Sequence, residues 1–346
     1  MSGRRLARST CQEFSPMPKI AVVSVAHIHS RDFCKTIGKL VSGKAPHVIW
    51  DENPERGAKY AAEFNCPFEP DLDKVVADPD VDAFVVCAEN TRHLPLLRKV
   101  LPVGKPTMCE KPMATIAADA DEIVSLAKRH KTPLTFGYFQ PFNGANRAVK
   151  RLLAAGDLGQ VTHLIFRNAH HAAYGRWFDN PDLAWFTQPE LSGGGALLDM
   201  GTHAVHLLRH LGGPVTEVWC MTGNFSGAYP TVDDYGVIMM KFASGAIGRA
   251  EAGWVFTGGH SGLEVIGSKQ SIWNADGLKM GGPGIPAAPV ASDEARPDRI
   301  PRLIAVVKGE LPVAELEEDV AAACDAVKIM AAAYESAKTG RWTTCR

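Results

Sequence analysis

Short apolar runs alternate with helical patterns along the first 140 residues. The segments between the runs carry apolar residues at helical spacing, as at Phe33, Ile37 and Val41. The runs themselves are rich in Val, Ile and Ala, which is typical of strands covered on both faces. They lie at Lys19–Val25, His47–Trp50, Val81–Ala88, Pro106–Cys109 and Leu134–Gly137. This alternation predicts a doubly wound parallel sheet with right-handed crossovers, of the Rossmann type, which binds ligands at the carboxyl ends of its strands.

The pattern changes after residue 138. One helix is predicted over Phe142–Ala155 and another over Glu315–Lys338, while the Gly- and Pro-rich stretch Gly281–Pro301 predicts a long surface loop. Long extended runs with few helices between them predict a largely antiparallel open sheet. These runs are Val161–His171, Val215–Phe225, Tyr235–Phe242, Ala246–Trp254 and Ser261–Ile266. We therefore predict a disordered leader at 1–17, an α/β domain at 18–138 and an α+β domain at 139–346.

Charge and cysteine usage exclude several classes of protein. The 346 residues include 37 Lys and Arg against 38 Asp and Glu. This balance argues against a nucleic-acid binder with a broad basic field and against electrostatic attachment to a membrane. No apolar run approaches the roughly 20 residues that a membrane span needs. The eight cysteines are scattered without a CxxC pair, so we expect free thiols and a cytoplasmic location.

The loop after the first strand is a candidate phosphate-binding loop. Ser24, Ala26 and His29 stand where a dinucleotide loop usually has three glycines. Asp51, at the end of the second strand, could bind a ribose 2′-hydroxyl and repel the 2′-phosphate of NADP, or be a solvated strand-end carboxylate. His27 and His29 could instead bind a metal ion or donate hydrogen bonds to a diphosphate. The predicted cofactor contacts in this loop are Ser24, Ala26, His27, Ile28 and His29.

Two motifs point to one protein family. Cys109-Glu110-Lys111-Pro112 ends the fourth strand, and a run with the pattern GGGxxxDxGxH opens a helix at residues 193–203. Asn90 and His93 follow the third strand, Gly137-Tyr138 the fifth, and Trp185 precedes the glycines. In this combination the chain resembles the glucose–fructose oxidoreductase/inositol 2-dehydrogenase (Gfo/Idh/MocA) family from Lys19 to its end.

The resemblance implies an N-terminal Rossmann domain, a C-terminal open sheet that forms oligomer contacts, and NAD(P)-linked oxidation or reduction of a carbinol. By position, Lys111, Asp199 and His203 are the implied catalytic residues, and Glu110 lies where the family contacts the nicotinamide ribose. The other implied cofactor contacts are Asp51, Asn90, His93 and Lys111. The implied substrate contacts are Tyr138, His171, Trp185, Asp199 and His203.

The chemistry of these residue types supports the implied roles. Asp199 and His203 are four residues apart on a predicted helix and therefore share one face. Oxidation of an alcohol needs a base, and histidine titrates in the right range. Lys111 could polarise the forming carbonyl, and Asp199 could orient His203 or hold the substrate. We expect NAD rather than NADP, a carbohydrate or cyclitol substrate, and a homodimer or homotetramer without nucleic acid or membrane partners.

Departures from the family pattern leave alternatives open. The phosphate loop lacks all three glycines, and His206 stands where the family often has an aspartate. Asp199, His203, His206 and His210 form one stripe of the predicted helix, and His170 and His171 could face it. Such a stripe could bind Zn²⁺ or Mn²⁺, or its histidines could be buried packing residues. A lyase, hydratase or glycosidase-like enzyme with bound NAD or a metal is therefore one alternative, and a non-catalytic binding protein is another.

Overall fold

The computed structural model describes residues 17–41, 43 and 45–346. Except for Met17, the predicted leader lies outside the described residues. The helices in the described part are α1 Ser30–Leu40, α2 Pro54–Phe64, α3 Leu72–Ala77, α4 His93–Val100, α5 Ala117–His130, α6 Gly144–Ala155, α7 Pro189–Ser192, α8 Ala196–Gly212, α9 Arg299–Val307 and α10 Val313–Thr339. None of these helices is both long and apolar enough to cross a membrane.

The strands of the first half form one parallel sheet. They are β1 Ile20–Val23, β2 Val48–Trp50, β3 Ala83–Val86, β4 Thr107–Cys109 and β5 Leu134–Phe136. Their order in the sheet is β2-β1-β3-β4-β5, and every neighbouring pair is parallel. Every residue of these strands is buried, because helices cover both faces. The predicted doubly wound sheet is confirmed.

The strands of the second half form one sheet of nine strands in the described residues. They are β6 Val161–Ala169, β7 Val215–Gly223, β8 Tyr235–Phe242, β9 Ile247–Gly253, β10 Ser261–Gly267, β11 Ser271–Asn274, β12 Leu278–Gly282, β13 Ile285–Pro289 and β14 Thr343–Thr344. The order is β13-β12-β11-β10-β6-β9-β8-β7-β14, antiparallel except between β6 and β9. Helices α8 and α10 pack against it. The predicted second sheet is confirmed.

The prediction of a long surface loop over Gly281–Pro301 is wrong. The end of β12, all of β13 and the start of α9 lie in this segment. Every residue of β13 is exposed, so the strand has no apolar alternation that a sequence pattern could reveal. Ile300, Leu303 and Ile304 of α9 pack into the apolar cluster beneath β1 and α1. The chain therefore returns to the first sheet after leaving the second.

The two halves meet where the parallel strands end. Tyr138, just after β5, shares a 2.7 Å hydrogen bond between its hydroxyl and that of Thr202 in α8. The amide of Asn90, after β3, donates to the Ser192 carbonyl at 2.8 Å. These contacts place the glycine run and the start of α8 at the carboxyl edge of the parallel sheet, where such sheets bind ligands.

Candidate active site

Lys111 and Asp199 form a buried ion pair across the junction of the two sheets. Lys111 follows β4, and its Nζ donates to Asp199 Oδ1 at 2.7 Å and to the Asp199 backbone carbonyl at 3.2 Å. The indole Nε1 of Trp254 donates to Asp199 Oδ2 at 3.0 Å. Burial alone would raise the pKa of Asp199, but Lys111, His170 and the hydrogen bonds lower it below its ordinary value. Asp199 is therefore a carboxylate at neutral pH.

His203 lies one helical turn after Asp199, and its side chain is buried. Its ring centroid is 5.8 Å from that of Tyr138 and 5.1 Å from that of Phe139. Its Nδ1 has no hydrogen-bond partner in the described part of the chain. Burial lowers the pKa of His203 well below its ordinary value, and Lys111 acts in the same direction. The imidazole is neutral at pH 7 and can accept a proton.

The structure brings His170, rather than the predicted His171, toward this group. His170 Nε2 lies 3.9 Å from Asp199 Oδ2, and its ring stacks on Trp177 with centroids 4.7 Å apart. His171 is exposed and meets Trp177 edge-on. Both rings therefore contact Trp177, and His170 is the member of the pair that also approaches Asp199.

Tyr138 forms part of the wall behind His203. Its ring is buried and stacks on His206 with centroids 3.8 Å apart, while its hydroxyl bonds to Thr202. The stripe predicted as an alternative metal site is therefore divided: Asp199 pairs with Lys111, whereas His206 packs under Tyr138. In the described residues, the ligand group close enough to hold a metal is a different one, His27 with His29 and Glu110.

The loop after β1 makes the turn of a phosphate-binding loop without its glycines. Ser24 has a φ of 68°, a conformation that usually favours glycine. Ala26 and His27 are buried, and Ile28 is exposed. Helix α1 begins immediately afterwards at Ser30, without a side-chain cap on its first amides. The Ser30 amide donates to the His27 carbonyl at 3.0 Å, so the amides of Arg31 and Asp32 are those that an anion at the start of the helix could meet.

Trp185 joins the second half of the chain to this loop. Its Nε1 donates to the Ala26 carbonyl at 3.0 Å. Its ring stacks on Phe186, and both rings lie against His27, with centroids 5.9 Å and 5.4 Å from it. Trp185 therefore covers the phosphate loop. Its buried position is explained by these contacts and does not require a contact with substrate.

Asp51 lies beside the loop, at the end of β2, as predicted. Its carboxylate accepts the Val25 amide at 2.7 Å, the Ser24 hydroxyl at 3.2 Å and the Asn53 amide at 2.7 Å. Arg56, which sequence reasoning missed, donates to both oxygens, the shortest distance being 2.8 Å. In this arrangement the carboxylate holds the loop. A ribose hydroxyl would have to donate to Asp51 alongside these hydrogen-bond donors or displace one of them.

Glu110 is the buried carboxylate between the loop and Lys111. His29 Nδ1 donates to its Oε1 at 2.8 Å, and the Lys111 amide donates to its Oε2 at 2.7 Å. A Cβ on Gly137 would overlap this carboxylate, so the glycine makes room for it. Burial would raise the pKa of Glu110, but His27, His29 and Lys111 lower it below its ordinary value.

Asn90 and His93 hold backbone in place around the site. The amide of Asn90 reaches the Ser192 carbonyl, as described above, while its Oδ1 has no partner in the described residues. His93 Nδ1 donates to the Pro112 carbonyl at 2.8 Å, which fixes the chain just after Lys111. His93 is fully buried, and its Nε2 has no hydrogen-bond partner in the described residues.

The residues present fit a dinucleotide. The loop turns as a phosphate loop does, the first amides of α1 are uncapped, and His27 Nε2 is a buried polar atom without a partner among the described residues. A diphosphate would be held by His27 and the start of α1, and a nicotinamide ribose by Glu110. The nicotinamide end of a dinucleotide bound at this edge of the sheet would lie beside Lys111 and His203.

Sequence reasoning missed Trp254 and Arg56, and it named His170 only as a residue that could face the predicted metal-ligand stripe. Trp254 ends a predicted strand and Arg56 lies on a predicted helix, so neither carried a signal of its own. His170 was visible as half of a histidine pair, but the pattern does not tell which member faces the site.

Two family profiles match the chain. The oxidoreductase family with an NAD-binding Rossmann fold matches residues 18–138, and the GFO/IDH/MocA C-terminal domain matches residues 146–273. Among solved structures, that of GenD2 from gentamicin A biosynthesis, in complex with NAD, has a TM-score of 0.77 at 24% identity. The similarity covers 96% of this chain and 97% of that one.

Curated relatives are similar over about two thirds of the chain. The 2,7-anhydro-N-acetylneuraminate hydratase of Mediterraneibacter gnavus is 28% identical over 225 residues, 64% of this chain and 58% of the relative. The 1,5-anhydro-D-fructose reductase of Ensifer adhaerens is 29% identical over 221 residues, 63% of this chain and 64% of the relative. The chain thus spans about three fifths of the length of these relatives. It belongs to the Gfo/Idh/MocA family of oxidoreductases, whose N-terminal domain is an NAD-binding Rossmann fold.

Proposed function

We propose that the protein is an NAD-dependent oxidoreductase that transfers a hydride between nicotinamide and a carbinol of a sugar, sugar derivative or inositol. The observation that carries this proposal is the Lys111–Asp199 ion pair, with the neutral imidazole of His203 one turn further along α8. The group lies at the carboxyl edge of the parallel sheet, beside the loop that fits a dinucleotide. The relatives of the chain that act on anhydro sugars support the substrate class.

Each residue of the group has a separate task in this chemistry. NAD, held by the loop after β1 and by Glu110, would supply the hydride acceptor for the carbinol carbon, and His203 is placed to accept the hydroxyl proton. Lys111 has three N–H donors, of which Asp199 Oδ1 and the Asp199 carbonyl take two. The third is free to donate to the carbinol oxygen and to stabilise negative charge that develops there. Asp199 keeps the ammonium oriented and neutralises its charge.

The wall near Asp199 suits a ring with hydroxyl groups. His170 and Trp177 stack on each other, and Trp177 is partly exposed. An aromatic face packs on the apolar side of a sugar ring, while imidazole nitrogens bind its hydroxyls. We assign His170 and Trp177, together with His203, to substrate binding, and we keep Trp185 for the phosphate loop.

The first test of this function is the substitution Lys111→Ala. We expect kcat for NAD reduction, measured by absorbance with a panel of sugars and inositols, to fall about 100- to 10,000-fold. His203→Asn should cause a loss of similar size, because it removes the base and leaves the Lys111–Asp199 pair in place. Lys99→Ala, at an exposed lysine of α4, is the matched control and should retain turnover. Near-normal turnover in folded Lys111→Ala and His203→Asn would refute the assignment.

A hydratase or lyase is the second candidate, because a hydratase is among the relatives at 28% identity. Such an enzyme would use the same base and ammonium, with NAD retained through the cycle. Incubation of the wild-type protein with NAD and each sugar separates the two candidates. A dehydrogenase accumulates NADH in proportion to product, whereas a hydratase forms product without net NADH.

We propose that the outer face of the nine-stranded sheet forms a homodimer or homotetramer contact. Along β8 the residues alternate between buried and half-exposed, and the buried ones face α8 and α10. The other side carries the apolar side chains of Trp219, Met221, Val237 and Met239, of which Met221 is 56% exposed. Apolar sheet faces of this kind are usually covered by a partner.

A further inference from the structure

A cavity lies apart from the catalytic group, between α6, α8, α10 and the segment before α9. Its volume is about 420 Å³, which is within the range of small-molecule sites. In the described part of the chain, its lining includes neither Lys111, Asp199 nor His203. His206 lines the cavity and also stacks on Tyr138. This second cavity is therefore distinct from the catalytic group, and His206 forms part of its wall.

Arginines already neutralise the carboxylates of the second cavity. Each of the four carboxylates in its lining forms an ion pair with at least one arginine. The pairs are Asp293 with Arg151, Glu315 with Arg296 and Arg302, Glu318 with Arg209, and Asp319 with Arg302. Because these carboxylates are paired, they offer little attraction to a cationic ligand.

Arg147 is a cation of the same cavity without a carboxylate of its own. It lies on α6 and is half-buried, and its Nε is buried without a hydrogen-bond partner in the described residues. The pKa of Asp293 is lowered chiefly by its hydrogen bond from Arg151, and Arg147 adds only its charge. A buried donor without a partner is costly. The guanidinium is thus available to an acceptor in the cavity.

Lys150 adds a second cation on the same face of α6. It lies three residues after Arg147, and its ammonium donates to the backbone carbonyl of His210. Partial burial and the charge of Arg209 lower the pKa of Lys150 below its ordinary value, and Glu318 offsets only part of this. The ammonium therefore lies in positive surroundings, which a bound anion would relieve.

Other groups of the lining suit hydroxyls. Burial lowers the pKa of His206 to about 3, so its ring is neutral and offers one N–H donor and one acceptor nitrogen. Its Nδ1 has no partner in the described residues. Asp319 accepts both hydrogen bonds from Arg302 on Oδ2, at 2.8 Å and 2.6 Å, which leaves Oδ1 to accept from a ligand hydroxyl.

We propose that the second cavity binds a small hydroxylated carboxylate of the sugar-acid class, with its carboxylate on Arg147 and Lys150. A guanidinium binds a carboxylate through two parallel hydrogen bonds, and an ammonium contributes a compact charge. The hydroxyls of the ligand would meet His206 and Asp319. This site lies outside the phosphate loop and the catalytic group and goes beyond the proposed dehydrogenase function.

The test is isothermal titration calorimetry of the full-length protein with D-gluconate, in Tris buffer of low ionic strength at pH 7.5. We expect one site per chain with a Kd below about 1 mM. D-Sorbitol, which has the same number of carbons but no charge, should bind at least tenfold more weakly. Arg147→Gln should weaken gluconate binding at least tenfold, and Lys150→Gln at least threefold.

Two variants serve as controls, with folding checked by circular dichroism. Arg129→Gln, at an exposed arginine of α5, should bind gluconate as wild type does. Lys111→Ala should also retain this binding, because Lys111 does not line the second cavity.

Absence of gluconate binding, or unchanged affinity in folded Arg147→Gln, would overturn the proposal. Equal weakening in Arg129→Gln would do the same, and loss of binding in folded Lys111→Ala would place the anion in the catalytic site instead. Because no nicotinamide is added, failure here leaves the dehydrogenase proposal to its own test.

Discussion

Asp51 supports the phosphate loop and is also the residue that we propose reads the ribose of the cofactor. Its carboxylate accepts the Val25 amide and the Ser24 hydroxyl, which shapes the phosphate loop. It also pairs with Arg56, which in turn lies 3.1 Å from Glu89. The position of Asp51 at the end of β2 is consistent with two roles. The carboxylate could bind the ribose of the cofactor, and it could hold the phosphate loop in place.

The substitution Asp51→Ala separates these tasks. It would free Arg56 from its main partner and leave a cation at the place where the 2′-phosphate of NADP would lie. We expect the ratio of the Kd for NADPH to the Kd for NADH to fall at least tenfold, as measured by fluorescence titration. Glu52→Ala, at the neighbouring exposed carboxylate, is the control and should leave the ratio unchanged. An unchanged ratio in Asp51→Ala would mean that the residue supports the loop without reading the ribose.

The turn into α8 is the element on which the catalytic geometry depends. The Gly195 amide donates to Asp233 Oδ2 at 3.2 Å, and the Leu197 amide donates to Oδ1 at 2.7 Å. Tyr334 of α10 donates to the same carboxylate at 2.9 Å. The loop before β8 and helix α10 thus fix the direction in which Asp199 and His203 leave the glycine run.

Gly195→Ala tests this turn. A Cβ at residue 195 would overlap the backbone carbonyl oxygen of Asp233, so the backbone itself would have to move. We expect a loss of about 3 kcal/mol in the free energy of unfolding, measured by urea denaturation. Gly262→Ala in β10 is the matched control, because a Cβ there meets nothing within 4 Å. A loss in Gly195→Ala no larger than in the control would contradict the assigned role.

Six buried or half-buried histidines affect the pH dependence of the stability of the whole molecule. In the described residues, the pKa is lowered at His27, His93, His170, His203, His206 and His210, in each case chiefly by burial. Below about pH 6.5 the unfolded chain binds protons that the folded protein excludes, so stability falls as the pH decreases. The lowered pKa values of Glu110 and Asp199 act in a separate window, since their contribution is lost only below about pH 4.

His206→Gln isolates one part of this pH dependence. Burial, with His210 and Arg209 nearby, lowers the pKa of His206 to about 3. Between pH 7.5 and pH 5 the wild-type protein should therefore lose about 2 kcal/mol of stability through this residue alone, and the variant should not. Urea unfolding at the two pH values measures the difference. His260→Gln, at an exposed histidine, should keep the wild-type pH dependence, and an equal dependence in His206→Gln would contradict the account.

The apolar pattern predicts most of the fold and the centre of the site. The apolar pattern predicts the first and last residues of β8 correctly. The Glu110–Lys111 and Asp199–His203 motifs predict a cluster of side chains, and the structure brings Lys111 and Asp199 together. Contacts between distant residues leave no local pattern. Trp185 donates to Ala26 across 159 positions and Trp254 to Asp199 across 55, so neither role could be predicted. The exposed strand β13 lacks the alternation that identifies a half-buried strand.

The central claim is that the protein is an NAD-dependent oxidoreductase. Its most direct test is a titration of the cofactor-stripped protein with NADH, in which binding is monitored by energy transfer from tryptophan to nicotinamide. We predict saturable binding of one NADH per chain, with NADPH weaker. Trp185 lies against the phosphate loop, so Trp185→Phe should remove a large part of the transfer signal. Absence of saturable NADH binding by the folded protein would contradict an NAD-dependent oxidoreductase built on the loop at residues 24–29.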